Sequence, residues 1–156
     1  MSRGIRKGDP NYWQWRKNTG KPKSIKNPKQ LWDAACDYFE WCDENPMTKQ
    51  DFIRGGDMAG SKVDLAIPRP YTWQGLEIHL ADMGLVSKLD DYRANVGKAY
   101  EKYKDILTLI EREIYDRKYV GAATNTYNAG FISKDLGITE KIEQQVSVVE
   151  QPLFGD

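Results

Sequence analysis

YTWQGLEIHLADMGLVSKLDDYRAN, residues 71–95, raises the central question of this chain. Thr72 is a helix-capping residue type set just before Trp73, Leu76 and Leu80, so the spacing predicts a helix over Trp73–Asp82. Gly84 permits a turn, Ser87 can cap a second helix, and Leu89 and Tyr92 pack behind it. A helix pair bent in this way either reads DNA or forms a corner of a helical core. Lys88, Arg93 and Asn95 are candidates for phosphate or base contact. Asp90 and Asp91 repel phosphates, and can instead pair with Lys88 and Arg93 on the surface.

The flanking segments predict a mainly α protein. Asn27 followed by Pro28 opens a helix whose face carries Leu31, Ala35, Tyr38, Phe39 and Cys42, and Asn45-Pro46 closes it. Residues 47–70 break the helical rhythm. There Lys49–Arg54 and Lys62–Ile67 flank Gly55–Ser61, as in a β-hairpin or a long loop. Past the bend, a longer helix from Val96 to about Lys118 carries the stripe Tyr103, Ile106, Leu107, Ile110 and Ile114. Gly121, Ala122 and Ala123, with Tyr127 beyond, allow close approach of a helix or a subunit, and Gly137 ends the last helix. In the tail, Ile142, Gln144, Val146 and Val148 alternate like a strand that needs a partner strand, and Leu153 and Phe154 form an apolar hook. The expected organisation is a flexible basic arm over 1–26 and a helical core over 27–138, then a tail over 139–156. Within the core lie the helix-turn-helix-like segment 71–95 and oligomerisation helices over 96–136, whose contacts would be Tyr103, Ile106, Ile110, Ile114, Ala122, Ala123 and Tyr127.

The formal net charge of zero hides a division. Residues 1–29 hold nine Lys/Arg against one Asp, and the remainder carries the balancing excess of Asp and Glu. A basic arm on an acidic body points to a polyanion, with Arg3, Arg6, Lys7, Arg16, Lys17, Lys21, Lys23 and Lys26 as backbone contacts. Trp13 and Trp15 interleave with these cations and can stack on bases or anchor the arm in a protein groove.

Catalytic and metal chemistry find little support. His79 has no partnered nucleophile or second ligand. Cys36 and Cys42, six apart on one helix, point to different faces, which fits a reducing setting. GGDMAGSK (Gly55–Lys62) nearly spells a phosphate-binding loop, but Ser61 and Lys62 are transposed and the flanking strand and helix are missing. No cofactor, metal or membrane span is expected.

The order of GKPKSIKNPKQLWDAACDYFEWCDENP, then PRPYTWQGLEIHL, then RKYVGAATNTYNAGFISKDLGI resembles the small terminase subunit family of tailed bacteriophages, in its DNA-packaging-protein branch. The similarity runs over roughly residues 20–140. The resemblance implies a helical, non-enzymatic protein of the host-cell cytoplasm that assembles into a homo-oligomeric ring. It also implies that the protein recognises double-stranded viral DNA and passes it to the large terminase subunit, which carries the ATPase and nuclease. The Leu153–Phe154 hook is the expected docking element for that subunit. Two other classes remain: a dimeric helix-turn-helix transcriptional regulator reading two half-sites, and a nucleotide hydrolase built on Gly55–Lys62.

Overall fold

The computed structural model describes residues 21–86 and 88–138. Helix α1, Pro28–Glu44, starts where its sequence requires. The Asn27 side-chain oxygen accepts from the Gln30 N–H at 2.8 Å, and the Gln30 side chain accepts from the Lys26 N–H at 2.8 Å. The first bond satisfies an N–H that the opening helical turn leaves unpaired, and the second ties down the residue just before the cap. At the other end the Asn45 amide donates to the Trp41 carbonyl, just before Pro46. Leu31, Ala34, Ala35, Tyr38 and Cys42 are buried, whereas Cys36 is exposed, as their spacing predicts.

Strands β1 (Met47–Phe52) and β2 (Lys62–Ile67) form an antiparallel hairpin in the register Met47↔Ile67 to Phe52↔Lys62. The first strand begins two residues before the expected Lys49, directly after Pro46. Helix α2, Trp73–Asp82, is capped by Thr72, whose hydroxyl accepts from the Gly75 N–H at 2.9 Å. It buries Leu76 and Leu80 against α1. Gly84, at φ 73°, turns the chain out of α2.

The chain departs from expectation after the bend. Helix α3, Asp90–Arg93, is a single turn, with Leu89 at its N-cap position and no side-chain cap. Ser87, the expected cap, lies outside the described residues. The long helix expected from Val96 starts only at Lys104. Val96–Lys98 and Glu101–Tyr103 are tight 3₁₀ turns, and α4 runs Lys104–Ala123. Gly97 and Lys98, at φ 62° and 58°, leave the helical path, and the break opens at Asn95. It adopts φ 48°, its side-chain oxygen accepts from the Tyr100 N–H at 2.9 Å, and its amide donates to Glu101. This local bonding offers the backbone an alternative to helix.

Helix α4 extends past Lys118, and within that extension Gly121 fits beneath the ring of Tyr127, where an added Cβ would lie 2.1 Å from a ring carbon. Helix α5, Ala129–Asp135, is capped by Asn128 and followed by Gly137, as expected. One core joins α1, α2, α3 and α4, with Leu31, Leu76, Leu80, Leu89 and Ile110 fully buried. The fold is mainly α with one hairpin. The strand expected over Ile142–Val148 and the hook expected at Leu153–Phe154 lie outside the described residues.

Candidate nucleic-acid interface

The root of the basic arm, residues 21–26, meets the bend. The Lys23 N–H donates to the Gly84 carbonyl at 2.9 Å, and the Val86 N–H donates to the Lys23 carbonyl at 2.8 Å. These two bonds make a parallel bridge between Lys23 and Leu85, at the centre of the turn. Two residues on, Ile25 enters the core at 4% exposure, and the buried Tyr103 hydroxyl donates to its carbonyl at 2.8 Å. Tyr103 sits in an aromatic cluster with Tyr92 of α3 and Tyr100, at ring separations of 5.1 and 6.5 Å. Burying Ile25 stabilises this attachment by about 2 kcal/mol. Lys21, Lys23 and Lys26 remain exposed beside the bend, and so does Lys88, three residues past Leu85. Arg3, Arg6, Lys7, Arg16 and Lys17, with Trp13 and Trp15, lie outside the described residues.

The other bend residues have partners within the chain. The Arg93 guanidinium lies 4.3 Å from the centre of the Trp73 ring, a cation–π contact joining α3 to α2. It lines an open cleft of about 580 Å³ with Trp73, Asp90, Lys104 and Glu111. The side chain of Asn95 is taken up by Tyr100 and Glu101. With a rise of 1.5 Å per residue, the four residues of α3 span only about 6 Å, too short to lie along a major groove. Asp90 and Asp91 occupy its first turn and are exposed.

The residues expected at subunit contacts divide. Tyr103, Ile110 and Ile114 are buried within their own chain, and Ile106 packs partly buried against the same core. Ala122 is half-buried, Ala123 exposed, and Tyr127 covers Gly121. The large apolar side chains that α4 leaves exposed are Leu109, Tyr115, Tyr119 and Val120, and the Tyr115 and Tyr119 rings stack 6.1 Å apart. Phe131 of α5 is 69% exposed.

Among the described residues, no group of three His, Cys, Asp or Glu could hold a metal ion, and no helix is long and apolar enough to cross a membrane. Gly55–Lys62 joins two strands and leads into no helix, so the near-motif lacks the helix N-terminus that a phosphate-binding loop requires.

The family described as DNA-packaging protein gp3 matches residues 20–146. The chain belongs to that family. It is also 30% identical over 134 residues to the "Terminase, small subunit" of Salmonella phage P22, covering 83% of this chain and 75% of that protein. The family is that of the small terminase subunits, and its members serve phage DNA packaging. Its match begins one residue before Lys21, so it takes in the arm root, the hairpin, the bend and α4 together.

Two features of this family member escaped sequence reasoning. The first is the attachment of the arm at Ile25, whose only signal is one apolar residue within a Lys/Pro/Ser run. The second is a polar cluster at the hairpin root. Asp43 accepts from the Tyr71 hydroxyl at 2.9 Å and from Arg117 at 2.6 Å, and the Arg117 guanidinium lies 4.7 Å from the Tyr71 ring centre. The Tyr127 hydroxyl donates to the Pro68 carbonyl at 2.9 Å, and Arg69 Nε donates to the Asn45 carbonyl at 2.8 Å. Burial, followed by the bond to Asp43, pushes the Tyr71 phenol up to about 12. These partners lie far apart in sequence, so no local pattern exposes them.

Proposed function

We propose that this protein is the DNA-binding adaptor of a phage packaging machine: a ring-forming small terminase subunit that engages double-stranded viral DNA and hands it to the large subunit. The observation that carries the DNA-binding reading is the bridge from Lys23 to Gly84 and Val86. It holds Lys21, Lys23 and Lys26 at the bend beside Lys88, so arm and bend act as one electrostatic surface. Phosphate contact by these lysines would supply most of the affinity. Arg93 and Asn95 would contribute by holding the shape of the bend. The remaining arm cations, Arg3 to Lys17, would extend the contact along the duplex.

Self-association is part of this reading, and the exposed Leu109, Tyr115, Tyr119 and Val120 on α4 give it an apolar surface. Tyr103, Ile110 and Ile114 would support that surface from beneath, and Ala122, Ala123 and Tyr127 would shape its end. We assign large-subunit docking to Leu153 and Phe154, and no catalytic step to this chain. The one-turn α3 weighs against a transcription regulator that reads half-sites with a recognition helix.

Light scattering of the pure protein, with and without a duplex, tests this reading. A cyclic assembly that binds DNA is expected. A monomer at micromolar concentration that ignores DNA at low salt would refute it.

A further inference from the structure

Helix α3 has no cap of its own. Leu89, at its N-cap position, offers no side-chain acceptor, and the third helical position is Tyr92. A capping box would place Glu or Gln there, reaching back to the N–H of the cap residue. That N–H is nevertheless taken. Glu77 of α2, twelve residues earlier, accepts from the Leu89 N–H through Oε1 at 3.0 Å. Leu89 is fully buried and the bond is partly buried, so the N–H depends on a partner within the protein. Glu77 thus does from a second helix what a capping box does within one.

Glu77 stands one turn from Trp73 on α2, on the same face. Leu89 stands one turn from Arg93, whose N–H donates to the Leu89 carbonyl at 2.9 Å. Two rungs of opposite direction therefore join the helices. The α2 carboxylate holds the start of α3, and the Arg93 guanidinium of α3 lies 4.3 Å from the Trp73 ring centre. The peptide unit that Glu77 holds is the one linking Leu89 to the exposed Lys88.

We infer that Glu77 is a positioning residue for DNA contact: by fixing the Lys88–Leu89 peptide it sets the place of Lys88 at the bend. A carboxylate close to a polyanion ordinarily weakens binding. This one strengthens it through the shape it holds. The role rests on the DNA-binding reading and adds the group on which Lys88 depends.

Two substitutions in the full chain separate reach from charge. Glu77→Gln keeps an acceptor oxygen at the same distance from the backbone and removes the charge. Glu77→Asp keeps the charge and is one methylene too short. Duplex binding is followed by anisotropy from 50 to 200 mM salt, with helical circular dichroism as the check on folding. Glu77→Gln should keep the wild-type slope. Glu77→Asp should bind more weakly at 50 mM and flatten the slope of log K against log salt by about 0.9, as one lost phosphate contact does. Over that range it then loses about 3.5-fold less affinity than the wild type. Adding Lys88→Gln to Glu77→Asp should flatten the slope no further, because the two changes remove the same contact. Hydrogen–deuterium exchange over residues 88–93 should quicken in Glu77→Asp and stay slow in Glu77→Gln. Tighter binding by Glu77→Gln with an unchanged Glu77→Asp would mean a carboxylate that merely repels DNA, and overturns the positioning role. Two variants that both behave as the wild type overturn it as well and leave the DNA-binding reading standing. A wild type that ignores the duplex overturns both.

Discussion

Replacing Lys21, Lys23 and Lys26 together by Gln tests whether the arm root is a phosphate-binding surface. All three side chains are exposed, and the structural bonds of this segment are made by backbone atoms of Lys23, Ile25 and Lys26. The fold should therefore survive. Each lysine that neutralises a duplex phosphate contributes about 0.9 to the slope of log K against log salt. Losing three contacts should flatten that slope by about 2.7. Between 50 and 200 mM salt the variant should then lose about 40-fold less affinity than the wild type, having started from a weaker value. Fluorescence anisotropy of a labelled duplex across that range measures it. Adding Lys88→Gln should flatten the slope by about 0.9 more. Lys118→Gln is the control, because that side chain is 14% exposed and its ammonium bonds Asp135 at 2.7 Å. Parallel salt lines for the wild type and the triple variant would refute the argument.

Tyr103→Phe leaves the buried Ile25 carbonyl without its donor. It should lower stability in urea by about 1–3 kcal/mol, with the added loss of protection from exchange centred on residues 21–26. Gly121→Ala forces a methyl into the Tyr127 ring and breaks the hydroxyl bond to Pro68. A loss of about 1–3 kcal/mol is expected, and much less in a Tyr127→Ala background, where the ring is absent. Burial raises the phenols of Tyr38 and Tyr71 to about 12. Their ordinary value is about 10, so the folded state holds both protons more tightly than the unfolded chain. That contribution is fully present below pH 10 and is lost as the pH climbs from about 10 towards 12. Urea midpoints should fall across this window, and less steeply in Tyr38→Phe.

Local signals in the sequence were reliable at several helix ends and along the first core face. Asn27-Pro28, Thr72 and Gly137 mark real helix ends, and the three- and four-residue spacing of Leu31, Ala35, Tyr38 and Cys42 marks a real core face. The hairpin was legible from its glycine-bearing loop between two short β-prone runs. The long helix failed at its start because Asn95 bonds to Tyr100 and Glu101, a competing local structure that apolar periodicity does not register. It stopped short at its end because Gly121 read as a place of close approach beyond the helix, whereas it lies within the helix and the close neighbour is Tyr127 of the same chain.

The candidate site divides in the same way. Charge segregation belongs to the sequence, and by itself it singled out the basic arm. Residues 71–95 by themselves presented a bend with too many carboxylates to be a simple DNA reader. Only the tertiary structure decided that the root of the arm meets the bend, because the bonds from Lys23 to Gly84 and Val86 cross some sixty residues of chain. It also decided that α3 is one turn and that Arg93 stacks on Trp73. A linear pattern records which side chains a protein owns. Which of them meet is set by the burial of Ile25, Tyr92 and Tyr103 in a shared core.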